Sequence, residues 1–136
     1  MFGCLARLGV PVRCILSRQD DMQTTGFRNP YLFRYKVGFE EDGRITGIRV
    51  EIYSNAGNSF DVCGAVMDIT MQSFDGPYKV PNWEVRGFVC KTNLPSNTAY
   101  RGFGNPESSV VMHAILEKVA ERLGRDSFQV RNAEQR

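Results

Sequence analysis

The stretch Phe33-Arg34-Tyr35-Lys36-Val37-Gly38-Phe39-Glu40-Glu41-Asp42-Gly43-Arg44-Ile45-Thr46-Gly47-Ile48-Arg49-Val50-Glu51-Ile52 decides how this chain begins to fold. Phe33, Tyr35, Val37 and Phe39 alternate with Arg34, Lys36, Gly38 and Glu40. A period of two with one apolar side predicts a half-buried strand, because successive side chains leave a strand on opposite faces. Asp42-Gly43 marks a reverse turn, after which Ile48, Val50 and Ile52 alternate with Arg49 and Glu51. Two such runs around a glycine turn predict an antiparallel hairpin.

Upstream of the hairpin, Val12 to Leu16 is short and apolar between Pro11 and the polar run from Ser17 to Asp21, which predicts a buried strand. Thr24 to Pro30 reads as a turn-rich loop. Met1 to Gly9 reads as the tail of a helix rather than a signal peptide, since it lacks a basic start and Arg7 breaks its apolar stretch. Downstream, Ser54 to Ser59 reads as a loop, and Asp61 to Phe74 as a helix with Val62, Val66, Ile69 and Thr70 on one face and Asp61 as its cap. Asp75-Gly76-Pro77 is a turn, Trp83 to Thr92 a strand, and Asn93 to Gly104 a long loop.

A last helix follows, with Asn105 as N-cap and Pro106 in the first turn. Val111, Ile115 and Val119 form one apolar row, and Met112, Leu116, Ala120 and Leu123 the adjacent one. Gly124 stops the helix, and a further turn or short helix begins at Asp126. The predicted fold class is α+β: a sheet containing an antiparallel hairpin, with packed helices, in one unit. Both edges read as cuts in a larger protein, so residues 1–136 are expected to be a single partial domain.

With 136 residues, 42% of them apolar and 24% charged, the chain has the make-up of a globular domain with a real core. A net charge of +2, with its basic residues scattered, argues against a nucleic-acid partner. No apolar run reaches the length of a membrane span. Cys4, Cys14, Cys63 and Cys90 are too far apart for a zinc or iron–sulfur site built from this chain alone. Cys14 and Cys90 lie in apolar runs and read as buried, reduced thiols. His113 is the only histidine, so no nucleophile–base triad can be assembled around it. Asp20-Asp21 and Glu40-Glu41-Asp42 read as solvated charges.

The segment from Lys91 to Pro106 brings an arginine, two aromatics and two glycines to the start of the last helix. A helix N-terminus favours negative charge, and glycines let the backbone approach a ligand. Arg101 adds a fixed cation to that anion or cofactor cradle. The bland alternative is a surface arginine satisfying loop carbonyls, with Phe103 plugging the core beneath.

The wording of this loop, KTNLPSNTAYRGFGNPE, resembles the KTNLPSNTAFRGFG(G/F)PQ segment of the xanthine dehydrogenase and aldehyde oxidase family of molybdenum hydroxylases. PVRCILSRQDDM, GFRNPYLFRYKVGF, DGRI, YSNAGNS and YKVPN follow that family in the same order, so the resemblance spans about Pro11 to Asn132. It implies part of the molybdopterin-binding region, with Arg101 contacting the molybdenum cofactor at the metal's oxygen and sulfur ligands and Phe103 packing on the substrate ring. A flat aromatic wall suits planar substrates. Tyr100 stands where xanthine-oxidising relatives carry phenylalanine, and its hydroxyl needs a partner if buried.

Aligning Tyr78 to Asn82 without gaps puts Ile69 at the substrate-binding position where xanthine dehydrogenases have an arginine. Isoleucine donates no hydrogen bond, so purine recognition is expected to be impaired and the balance tips toward aldehydes or N-heterocycles. The other reading of Ile69 is a core position on a helix offset by one residue.

The family hydroxylates carbon with oxygen from water, using a glutamate base, and passes electrons to 2Fe-2S centres and, in many members, FAD. The resemblance thus implies a cytoplasmic oxidoreductase, homodimeric at full length, with no catalytic residue in this segment. Alone, the chain is expected to bind no molybdopterin tightly and to turn over no aldehyde. Two alternatives stay open: a purine-hydroxylating xanthine dehydrogenase, and a non-catalytic remnant that only packs or binds a partner. The marks of the remnant are an exposed apolar helix face from Val111 to Leu123 and no genomic continuation at either end.

Overall fold

The computed structural model describes Arg7 and residues 9–133. Its elements run α1 (Arg18–Thr24), β1 (Tyr31–Phe39), β2 (Ile45–Gly57), α2 (Cys63–Gln72), β3 (Trp83–Lys91), α3 (Asn105–Leu123) and α4 (Ser127–Ala133). The predicted hairpin is present: β1 and β2 pair antiparallel from Tyr31↔Ser54 to Phe39↔Ile45. Its turn closes with the Gly43 amide donating to Glu40 O at 3.0 Å, Gly43 taking φ +94°, a conformation glycine adopts without penalty. A third strand, β3, lies parallel to β2 on its far side, giving the order β1-β2-β3. Parallel neighbours need a crossover, which α2 and the turn after it provide.

Ile48, Val50 and Ile52 point from β2 into the core, where they meet Met67 of α2, Phe74, Tyr78, and Met112, Ile115, Leu116, Val119 and Ala120 of α3. Both apolar rows predicted on α3 thus face inward, with Val111 and Leu123 half-buried at its ends. Each such side chain contributes about 1.5–3 kcal/mol by leaving water, so the α3 stripe is a main anchor of the sheet. Gly124 ends α3 in the left-handed region at φ +63°, as predicted. The Asp126 carboxylate accepts the amides of Phe128 and Gln129 at 2.8 and 3.2 Å, starting α4. On the opposite face of the sheet Tyr53 stacks on Phe88, ring centroids 5.0 Å apart.

Five expectations need correction. Val12 to Leu16 forms no strand and pairs with neither outer edge of the sheet; Ile15 is 92% exposed. Ser17 instead caps α1, its side chain accepting the Asp20 amide, so Asp20 and Asp21 sit in a first helical turn. Cys14 is exposed and Cys90 half-buried, whereas among the described cysteines Cys63 is the buried one. Ser54 to Gly57 continues β2 rather than forming a loop, because Ser54, Asn55 and Gly57 register with Val89, Cys90 and Lys91. Both helix caps shift by one: Val62 precedes α2 with no side-chain cap, and Gly104 precedes α3. The Asp61 carboxylate is hydrogen-bonded by Thr98 Oγ1 instead of capping. The helical tail expected at Met1 to Gly9 falls almost wholly outside the described residues.

Candidate functional site

The loop from Lys91 to Gly104 leaves the end of β3 and doubles back across β2 before entering α3. Asparagine amides hold it there. Asn97 is buried, its amide N–H donating to Ala56 O and its Nδ2 to Asn55 O, both at 2.9 Å. Asn29 Nδ2 donates to the same Asn55 carbonyl at 3.0 Å and to Cys63 Sγ at 3.0 Å. Asn55 Oδ1 in turn accepts the Gly57 amide at 2.9 Å and Thr92 Oγ1 at 2.8 Å. These contacts tie the segment before β1, the end of β2, the start of α2 and the long loop into one patch. Gly57 permits the approach: at φ +78°, an added Cβ would lie 2.2 Å from Pro95 O.

From that patch the chain turns through Tyr100, Arg101, Gly102, Phe103 and Gly104. The Phe103 amide donates to Tyr100 O at 2.8 Å and the Asn105 amide to Gly102 O at 3.1 Å. Gly102 takes φ +84° and Phe103 φ +55°. A non-glycine residue in the left-handed region costs on the order of 1–3 kcal/mol, so the surroundings must hold it there. They do so through Arg28. Its Nη1 donates to Phe103 O at 3.1 Å and to Glu107 Oε1 at 2.8 Å, and its Nη2 donates to Arg101 O. The same guanidinium lies over the Tyr100 ring, 5.2 Å from its centroid. Charge-assisted hydrogen bonds contribute roughly 1.5–3 kcal/mol each, enough to offset the strained backbone.

Glu107 in the first turn of α3 is paired with Arg28, and Arg101 is exposed at the loop surface. Phe103 is half-buried, and Gly104 behind it is buried against Val66 and Thr70 of α2. Ile69, half-buried, precedes Thr70 on that helix, while Cys63, Val66, Met67 and Thr70 take the core positions. Arg101 and Phe103 therefore share one turn, and Gly104 joins that turn to the stretch of α2 bearing Ile69. The adjoining groove of about 370 Å³ is lined by Arg28, Tyr31, Phe33, Pro106 and Val110, among others, and not by Arg101, Phe103 or Ile69. This chain presents the three residues without enclosing them. Arg101 is exposed, as the bland reading has it, while the loop carbonyls of Arg101 and Phe103 are held by Arg28.

Arg28 escaped the sequence reading because its partners lie 73 to 79 residues away. Tyr100 OH donates to Met22 Sδ at 3.3 Å, the partner its half-buried ring required. His113 is exposed and meets the Tyr78 ring edge-on at 5.7 Å. Among the described residues, no group of three or more His, Cys, Asp or Glu could hold a metal ion, and no helix is long and apolar enough to cross a membrane. The donor open to an anionic group is the exposed Arg101; in the first turn of α3 the Asn105 and Ser108 amides are taken by Gly102 O and Gly104 O, and Pro106 has no N–H.

Comparison with known proteins agrees with that chemistry. The chain is 48% identical over 91% of its length to xanthine dehydrogenase of Calliphora vicina, of which it covers 9%. It is 47% identical over 90% of its length to aldehyde oxidase 1 of Macaca fascicularis, again covering 9% of that protein. The chain thus spans about a tenth of the length of these curated relatives. Among solved structures, aldehyde oxidoreductase from Desulfovibrio gigas matches 87% of this chain and 13% of its own, at a TM-score of 0.79 and 24% identity. Carbon monoxide dehydrogenase from Oligotropha carboxidovorans matches 96% of this chain and 17% of its own, at 0.78 and 24%; both likenesses establish the shared fold. A profile described as the molybdopterin cofactor-binding domain matches residues 3–134, and the chain belongs to that family, as the resemblance of its loop words implied.

Proposed function

We propose that this chain is a segment of a molybdenum hydroxylase that oxidises aldehydes or N-heterocycles, and that it forms one wall of the cofactor and substrate pocket. The observation that carries this is the turn at Arg101 to Gly104, which presents an exposed cation and a half-buried aromatic ring from a backbone fixed to α2 and α3. Arg101 would hold the anionic side of molybdopterin and its metal ligands, and Phe103 would orient a planar substrate. When bound, the cofactor supplies the two-electron redox chemistry and water activation; this chain supplies placement and charge. The 2Fe-2S centres, FAD, a homodimeric assembly and a cytoplasmic location belong to this proposal for the full-length protein.

Relatives named xanthine dehydrogenase and aldehyde oxidase match at 48% and 47% identity, so identity does not choose between purines and aldehydes. Ile69 favours aldehydes, since it brings no donor to a purine oxygen. The remnant reading loses one of its two expected marks, because Ile115, Leu116 and Val119 are at most 1% exposed. The 136 residues alone are proposed to oxidise no benzaldehyde.

The test is Arg101→Met in the full-length protein, followed by molybdenum content and aldehyde turnover. Loss of one fixed charge aimed at the reacting centre should lower kcat by about 10²-fold. Unchanged molybdenum content together with wild-type turnover of aldehydes and purines would remove the loop from the active site.

A further inference from the structure

We infer that Arg28 is the positioning residue of this site, setting where Arg101 and Phe103 stand without itself meeting cofactor or substrate. Its base is fixed on both sides. The Thr98 amide donates to Phe27 O at 3.0 Å, and Gly26 lies so close to the long loop that an added Cβ would be 2.6 Å from Ser96 O. On the other flank, Asn29 is buried and bonded to Asn55 and Cys63. From this anchored base the guanidinium reaches two carbonyls of one turn, those of Arg101 and Phe103, and the Glu107 carboxylate at the start of α3.

Only a planar fork reaches all three acceptors at once. Two carbonyls two residues apart converge on one guanidinium because Gly102 and Phe103 both adopt positive φ. The clasp therefore selects the turn conformation that leaves Arg101 exposed and Phe103 half-buried. A lysine at position 28 would keep a point charge for Glu107 yet lose the second carbonyl, which separates positioning from simple charge neutralisation. The catalytic consequence rests on the proposed function; the conformational part does not.

The experiment compares Arg28→Lys and Arg28→Met in the full-length protein by amide hydrogen exchange, molybdenum content and steady-state kinetics. Exchange at Phe103 and Asn105, whose amides close the turn, should rise about tenfold or more in both variants while Met112 to Val119 keep wild-type protection. A displaced turn should lower kcat for aldehydes about tenfold in Arg28→Lys, with KM changing far less. Wild-type exchange at Phe103 and Asn105 in Arg28→Lys would overturn the inference, as would a rise spread evenly along α3. If Arg28→Met does not fold, Arg28→Lys decides alone. Should the wild-type protein oxidise no aldehyde or purine while the exchange pattern holds, the positioning role stands and the proposed activity falls.

Discussion

Gly104 lies so close to Thr70 that an added methyl group would sit 2.3 Å from Thr70 Oγ1 and 2.5 Å from its amide nitrogen. At φ −94° the backbone of Gly104 suits any residue, so its smallness, not its flexibility, is what the site uses. Gly104→Ala should therefore act purely by overpacking, costing roughly 1–3 kcal/mol in chemical denaturation. Adding Thr70→Ala should recover little of this, since Val66 O also stands at 2.5 Å and cannot be trimmed away. Full recovery in the double variant would mean that the loop shifts freely over α2.

Asn97 carries a different load. Its side chain donates to Asn55 O at 2.9 Å from a position only 7% exposed. Asn97→Ala should cost roughly 1–2 kcal/mol, because Asn29 still satisfies the same carbonyl. Asn97→Asp should cost more than alanine, since a buried carboxylate brings charge and no donor. Thermal unfolding of both variants at neutral pH checks the order; aspartate no worse than alanine would contradict the burial.

How much of this was readable in the chain depended on sequence distance. The hairpin was legible because alternation and turn lie within twenty residues, and α3 because its apolar rows repeat every three or four. The β2–β3 pairing was not, since nothing in either strand encodes a parallel neighbour reached through a helix. Ser54 to Gly57 looked like a loop from its composition, yet pairing with β3 kept it extended. Val12 to Leu16 shows the converse: a short apolar run that pairs with no sheet edge forms no strand. At the site, Arg101, Phe103 and Gly104 announced themselves in a short phrase. Arg28 had no local signal, because a guanidinium bound to distant carbonyls resembles any surface arginine.

Glu84 joins β2 to β3 on the sheet's outer face. Arg49 Nε donates to its Oε2 at 2.6 Å, and Arg86 Nη2 lies 2.6 Å from its Oε1. Hydrogen bonds from Arg49 and then Arg86 hold the Glu84 carboxyl below its ordinary range. A carboxyl depressed in the folded state stabilises fully above its unfolded value and loses that contribution as pH falls through the folded one. Glu84→Gln should accordingly unfold at lower temperature than wild type near pH 7, with the two converging toward pH values well below the carboxylate range. Because the group is exposed, added salt should shrink the neutral-pH difference. Parallel curves at every pH would show that the pair contributes nothing through its charge.

Ile69 tests specificity. It is half-buried on α2, next in sequence to the Thr70 that Gly104 contacts. Arginine favours helices as well as isoleucine does, and a partly exposed site lets its guanidinium remain solvated, so Ile69→Arg should fold. In the full-length protein a donor there should raise kcat/KM for xanthine by at least about tenfold, because a hydrogen-bonded purine oxygen discriminates far more steeply than an apolar contact. The same side chain fills space that bulky aldehydes need, so their turnover should fall while small aldehydes are less affected. Steady-state kinetics on one purine, one small and one bulky aldehyde separates the cases. If all three rates stay unchanged, Ile69 faces away from the substrate, and the preference for aldehydes loses the residue on which it stands.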